Sequence, residues 1–175
     1  MDVVFTYGRF NPPHLGHKMM IEDIVRKARN TNKKPVVIVS HSTGTMKNPL
    51  SVANKLRIMR GWFPGVTFMS SAKNRSITNI VKNFGPNSVM VVGENRKNAF
   101  NFLRSTVANN ERPFKREYIK RPNGAPSATQ ARAAAMNGNK ELFKNLTGYN
   151  LTNNLQKKIL EASKMRQKKP KYKKL

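Results

Sequence analysis

Two histidines three residues apart, His14 and His17, close the turn Gly8-Arg9-Phe10-Asn11-Pro12-Pro13-His14-Leu15-Gly16-His17. An apolar stretch, Val3-Val4-Phe5-Thr6-Tyr7, precedes the turn. Met19 to Ala28 follows it, with apolar residues at Met20, Ile21, Ile24, Val25 and Ala28. The order is strand, Gly/Pro-rich turn, helix. The first N–H groups of a helix lack intrahelical acceptors, and the helix dipole places about half a positive charge at that end. Such an end receives anions, and two imidazoles beside it add donors aimed the same way. The chemistry within reach is the grip of a polyphosphate.

The elements that must position this turn alternate along the chain. Val36-Val37-Ile38-Val39-Ser40 is a continuous apolar run, the mark of a buried parallel strand. A polar loop, Ser42 to Asn48, leads into a helical spacing over Leu50 to Phe63 that Pro64-Gly65 ends. Val66 to Met69 reads as a third strand. Ile77, Ile80, Val81 and Phe84 form a helix face, and Ser88 to Val92 is a fourth strand ending in Gly93. Asn98 to Val107 is expected to be helical, and Phe114 to Arg121 an edge or fifth strand. Ser127 to Met136, Glu141 to Leu146 and Leu151 to Met165 are further helical segments. Repeated strand–helix units predict an α/β fold, a Rossmann-like parallel sheet of about five strands with helices on both faces. The expected organisation is one such domain over residues 1–149, a C-terminal helix over 150–165 and a basic tail over 166–175. In these sheets ligands bind beyond the carboxyl ends of the strands. That edge would gather the Gly8–His17 turn, Ser40–Lys47, Gly93–Arg96 and the turn before Ser127.

Composition narrows the partners. Lys and Arg number 34 against 8 acids, a formal charge of +26. A protein handling only a small nucleotide does not need such a field, which attracts polyanions and makes their binding salt-sensitive. Nucleic acid is the expected macromolecular partner, through the basic surface and the C-terminal tail. Seven of the twelve residues from Lys164 to Leu175 are Lys or Arg, too polar a stretch to order itself unaided. Without those residues, 27 basic side chains still face 8 acids, so the excess belongs to the domain as well. The absence of cysteine excludes disulfides and cysteine-based metal sites or nucleophiles. No apolar run approaches the ~18 residues of a membrane span, and Met1-Asp2 carries no basic leader. The expectation is a soluble, cytoplasmic protein without a membrane partner. Oligomeric state is not legible.

The Gly8–His17 segment resembles the HxGH signature of the nucleotidylyltransferase superfamily, which includes adenylyl- and cytidylyltransferases. Ser127-Ala128-Thr129-Gln130-Ala131-Arg132 is similar to that family's second phosphate motif. Val91-Val92-Gly93-Glu94-Asn95-Arg96 is similar to a strand end that usually reads Val-Val-Gly-x-Asp-Arg. Lys47-Asn48-Pro49-Leu50-Ser51 and Phe63-Pro64-Gly65-Val66 match as well, in order, within a similarity running from Val3 to about Gly148. Small phage-encoded members, labelled cytidylyltransferases, and nicotinamide-nucleotide adenylyltransferases look most alike; for a phage protein the location would be the host cytoplasm or the virion.

The resemblance implies transfer of a nucleoside monophosphate from ATP or CTP to a phosphate-bearing acceptor, with release of pyrophosphate. Nicotinamide mononucleotide is the slightly favoured acceptor. It makes His14, His17 and Arg132 the catalytic set. Gly8, Arg9, Phe10, Asn11, Gly16, Ser127, Thr129 and Lys55 would surround the phosphates. Arg9 fits either a phosphate contact or loop support, Ser127 either a ligand or a helix cap, and Lys55 either a phosphate contact or a solvated helix face. Trp62 fits the core better than a base-stacking platform. His41, Gly93, Asn95 and Arg96 would line the acceptor or base pocket, with Asn95 standing where the family usually carries Asp. The eight acids form no cluster in sequence, so no protein metal site is expected and Mg²⁺ would travel on the triphosphate. The competing reading is a basic nucleic-acid-binding or virion structural protein that keeps the fold.

Overall fold

The computed structural model describes residues 1–100, 103 and 115–165, together with the backbone at 107–108 and 112–113. In chain order the elements are β1 (Val3–Gly8), α1 (Leu15–Asn30), β2 (Lys34–Val39), α2 (Val52–Trp62), β3 (Thr67–Ser70), α3 (Ile77–Val81) and β4 (Val89–Gly93). A 3₁₀ turn over Glu94–Arg96 follows. The remainder is β5 (Val107–Ala108), β6 (Arg112–Pro113), β7 (Lys115–Ile119), α4 (Ala128–Met136), α5 (Lys140–Thr147) and α6 (Asn153–Ser163).

Five strands form one sheet in the order β3-β2-β1-β4-β7, and every pairing in it is parallel. This is the α/β, Rossmann-like arrangement expected from the alternating pattern. The side-chain period of two divides the core between the sheet's faces. Val3 and Phe5, Val36 and Ile38, and Met90 and Val92 pack with Ile77, Ile80, Val81 and Phe84 around α3. On the other face Val37, Val39 and Phe68 pack with Ile21 of α1 and Met59 of α2, and Val4 and Val91 pack with Ile24 and Ala28. Helices therefore cover both faces. A third apolar group joins α4, α5 and α6 through Ala131, Ala134, Ala135, Phe143 and Ile159, and seats them on Leu50 just before α2.

The chain crosses from one side of β1 to the other between β3 and β4, which makes the β1–β4 boundary the topological switch. These two strands pair only at Val4↔Val89 and Phe5↔Met90, whereas β1 pairs with β2 along its whole length, from Val3↔Lys34 to Gly8↔Val39. β1 and β4 thus separate before their carboxyl ends, and a crevice opens between Gly8 and Gly93.

Two boundaries differ from the sequence expectation for physical reasons. Helix α1 begins at Leu15 rather than Met19, because His14 caps it. The helix expected over 98–107 does not reach Val107, which pairs with Pro113 in a small antiparallel ladder. At its start, residues 97–100 are in turns; the remainder of that segment, apart from Leu103, lies outside the described residues, as does the tail from 166 onward. The fifth strand is present as β7 at the sheet's edge, tied to α1 by Lys27 Nζ–Glu117 Oε2 at 2.7 Å. That hydrogen bond raises the Lys27 pKa and lowers that of Glu117.

Candidate active site

A cleft of about 560 Å³ occupies the carboxyl edge of the sheet over the β1–β4 switch. One wall is the β1–α1 turn, another the strand end Val92–Arg96, and the third the 119–132 segment that leads into α4. Seven cationic side chains line it, Arg9, Arg26, Lys47, Arg96, Lys120, Arg121 and Arg132, against the two carboxylates Glu22 and Asp23. Asp23 is paired with Arg26. Among the described residues the lining thus carries a positive excess that only an anion neutralises.

The two histidines take their chemical state from the helix they start. His14 is the N-cap of α1, and its Nδ1 accepts the His17 backbone N–H at 3.3 Å. His17, three residues on, accepts the His14 backbone N–H at its own Nδ1, at 3.2 Å. This is a capping box made of two imidazoles in place of the usual Ser/Thr and Glu/Gln. An Nδ1 that accepts cannot carry a proton, so in the neutral ring the proton sits on Nε2. Each ring therefore offers Nε2–H as a donor. Burial holds the His14 pKa down at about 4, with the charge of Arg121 adding to the effect. His17 lies well below 6.5, through burial first and then through His14 and Arg121. Both rings are neutral donors at pH 7. They stack with centroids 3.6 Å apart, and the Phe10 ring supports His17 from the side at 4.7 Å.

Gly16 makes this stacking possible. A Cβ there would stand 2.9 Å from His14 Cε1 and 3.1 Å from the Pro126 carbonyl oxygen, closer than carbon atoms approach without displacement. Gly8 leaves similar room at the end of β1, where a Cβ would meet the Phe10 ring at 3.0 Å. Phe10 itself adopts φ 49° and buries its ring in the core between α1 and α2. Asn11 is also buried; its amide makes a two-way bond with Leu50, accepting from Leu50 N at 2.8 Å and donating to Leu50 O at 3.1 Å. The side chains of Phe10 and Asn11 thus shape the turn from behind.

Opposite the histidines stands α4. Ser127 caps it, accepting from Gln130 N at 3.2 Å, while Gln130 Oε1 accepts the Ser127 backbone N–H at 3.0 Å. The cap occupies that hydroxyl and that amide, and leaves the N–H groups of Ala128 and Thr129 as the open donors of the helix end. Arg132, one turn on, reaches across to the β1–α1 turn. Its Nη1 donates to Asn11 O at 2.9 Å and to Lys47 O at 3.4 Å, and its Nη2 to Thr129 Oγ1 at 3.3 Å. Burial and the nearby Arg9 lower its pKa; the guanidinium stays charged.

The cleft brings together Gly8, Arg9, Phe10, Asn11, His14, Gly16, His17, Gly93, Asn95, Arg96, Ser127, Thr129 and Arg132. Two expected residues stand outside its lining. Lys55 is fully buried, neither on a solvated face nor in the cleft. Its Nζ donates to Arg9 O at 2.9 Å and Ser40 O at 2.7 Å, joining the turn after β1 to the end of β2. Burial lowers its pKa to about 8. His41 is held at the β2 and β3 ends by Ser71, whose Oγ lies 2.8 Å from His41 Nδ1 and accepts the His41 backbone N–H at 3.1 Å. Trp62 packs beside Leu56 and Phe63 against the core.

Two residues of consequence were not anticipated. Arg121 follows β7 on the carboxyl edge, donates to Ala125 O and Pro126 O at 2.6 and 2.7 Å, and so folds the loop that delivers Ser127. Its position just beyond the fifth strand was the available signal. Tyr149 donates from its hydroxyl to Pro13 O at 2.7 Å, tying the segment after α5 to the histidine turn; a contact across 136 residues leaves no local sequence signal. Among the described residues no three His, Asp or Glu side chains gather to hold a metal, and no helix is long and apolar enough to cross a membrane.

The sequence-family profile described as Cytidylyltransferase-like matches residues 5–147, which takes in all three cleft walls and all the helices except α6. A solved structure from Streptococcus pneumoniae, described as a macrolide-efflux protein, is similar in fold: 16% identity and a TM-score of 0.55 over 84% of this chain. This chain spans 55% of that protein's length. No curated protein matches the sequence.

Proposed function

This chain belongs to the cytidylyltransferase-like family, and from that premise we propose that it is a nucleotidylyltransferase acting in the β1–β4 cleft. The acceptor's phosphate oxygen attacks the α-phosphorus of a nucleoside triphosphate; a new P–O bond forms, the bond to the β-phosphate breaks, and pyrophosphate leaves. ATP with nicotinamide mononucleotide is the pair we favour slightly over a CTP-dependent reaction. The observation that carries the reading is the paired imidazole cap. His14 and His17 are neutral, fixed in one tautomer, and stand opposite Arg132 across a cleft of positive excess.

The chain's own residues supply orientation and charge stabilisation. The Nε2–H groups of His14 and His17 donate to the phosphoryl oxygens where charge develops, with the N-terminal amides of α1 behind them. Arg132 and the open amides of α4 hold the departing phosphates. Arg9 and Arg121 add charge at the rim. Mg²⁺ is proposed to arrive on the triphosphate and screen it. Asn95 and Arg96, which line the cleft at the end of β4, are proposed to meet the acceptor.

The test is an activity matrix of nucleoside triphosphates against phosphate-bearing acceptors, read by pyrophosphate release, with His17→Ala as the control. Release with one pair, lost in that variant, supports the reading; no release with any pair rejects it. A second reading rests on the charge of +26: a basic nucleic-acid-binding or virion structural protein that retains the fold. Retention on heparin with a steep salt slope, unchanged by His17→Ala, in a protein without transferase activity, is the outcome that favours it.

A further inference from the structure

A second cavity, of about 350 Å³, lies away from the cleft between α2 and the start of α6. Its wall is aromatic: Trp62 and Tyr149, ring centroids 6.1 Å apart and inclined at 48°. Arg57 and Lys158 stand among its lining residues with Asn54 and Asn154, and no acidic side chain lines it. Among the described residues Arg57 donates a single long bond, 3.3 Å, to Asn54 Oδ1. Lys158 makes no ion pair among the described residues, while its neighbour Lys157 faces Glu161 at 4.0 Å. Among the described residues the cavity therefore combines two aromatic side chains, two cations free of carboxylates and side-chain amides. That set matches a flat heterocycle joined to phosphate.

We propose that this groove binds single-stranded nucleic acid, a base packing against Trp62 and flanking phosphates lying on Arg57 and Lys158. Base stacking on aromatic side chains and cations tracking the backbone are how sequence-tolerant strands are held. A polynucleotide rather than a free nucleotide fits because the whole molecule, at +26, attracts a long polyanion. The groove is also linked to the catalytic turn. Tyr149 presents its ring to the groove and its hydroxyl to Pro13 O, immediately before His14. This proposal does not depend on the transferase reading.

Trp62 is the chain's one tryptophan, so its emission reports on this groove alone. The experiment titrates the full chain with a short oligothymidylate over a salt series. Tryptophan emission and the anisotropy of a labelled strand are followed together. The expected result is quenching that tracks binding. Arg57→Ala with Lys158→Ala, both surface changes, should weaken binding about tenfold and flatten the slope of log K against log salt by about 1.4, two phosphate contacts at ~0.7 each. Trp62→Phe, read by anisotropy, should retain most of the affinity that Trp62→Ala loses. Three results each overturn the proposal: strand binding without quenching, a double variant with unchanged affinity and slope, or thymidine monophosphate binding as tightly as the oligomer. Loss of pyrophosphate release in His17→Ala alongside unchanged quenching would leave it standing.

Discussion

Replacing His17 by alanine removes two things at once: on the transferase reading a donor to the phosphates, and the acceptor that holds the His14 backbone N–H. The first loss is expected to lower turnover by about 10²–10³, the second to cost about 1 kcal/mol of stability. His17→Gln separates them, because glutamine at this position of a capping box still reaches back to the cap. Its melting temperature should lie near that of the parent while turnover stays low; a glutamine variant as unstable as the alanine one would contradict the cap. The depressed pKa values give a pH signature. Between about pH 6.5 and 4 the unfolded chain takes up protons at His14 and His17 that the folded chain refuses. The unfolded state then binds more protons, so stability falls as pH falls through that window. Urea midpoints at pH 7 and 5 check this, with the His14→Asn variant showing a shallower decline. Arg132 entered only through the resemblance of its segment to a phosphate motif, whereas the pairing of two histidines at a helix start was legible from residue type and spacing. Their tautomers were not, because these depend on which ring nitrogen the folded helix end occupies.

At the scale of elements, the β1–α1 turn is held from three sides: Asn11 to Leu50, Lys55 to Arg9 O, and Tyr149 to Pro13 O. Tyr149→Phe leaves a partly buried carbonyl without its donor, at a cost of about 1–3 kcal/mol. Turnover should fall with it because the histidine turn loses an anchor. Full turnover together with a lowered melting temperature would show the anchor to be structural only. Gly16→Ala tests the same turn from inside. Its Cβ would press on His14 and Pro126 O, and a shift approaching 1 Å at His14 is expected to cost about 10²-fold in rate. Helix α1 and the sheet were legible because periodicity and turn chemistry are local. Lys55 was misplaced because a lysine on an amphipathic helix looks the same whether its ammonium meets water or two buried carbonyls. Only the packing of β2 against α2 distinguishes the cases.

For the whole molecule, the charge of +26 predicts retention on heparin that weakens steeply with salt. His17→Ala should elute at the same salt as the parent, since burial keeps His17 neutral and its loss takes no charge from that field. An earlier elution for that variant would place the polyanion in the β1–β4 cleft instead. The order β3-β2-β1-β4-β7 was legible only as a class, because strand order follows from long-range pairing. What the order decides is where β1 and β4 separate. The groups gathered there, Arg132 and the α4 amides facing two neutral imidazoles, would on the transferase reading suit a diphosphate moiety whether or not a nucleoside is attached. On the transferase reading, the departing group leaves from a seat shaped for it. Pyrophosphate should therefore compete with the nucleoside triphosphate, and its accumulation should slow each cycle. The direction of net flux would then depend on how quickly another activity hydrolyses the by-product.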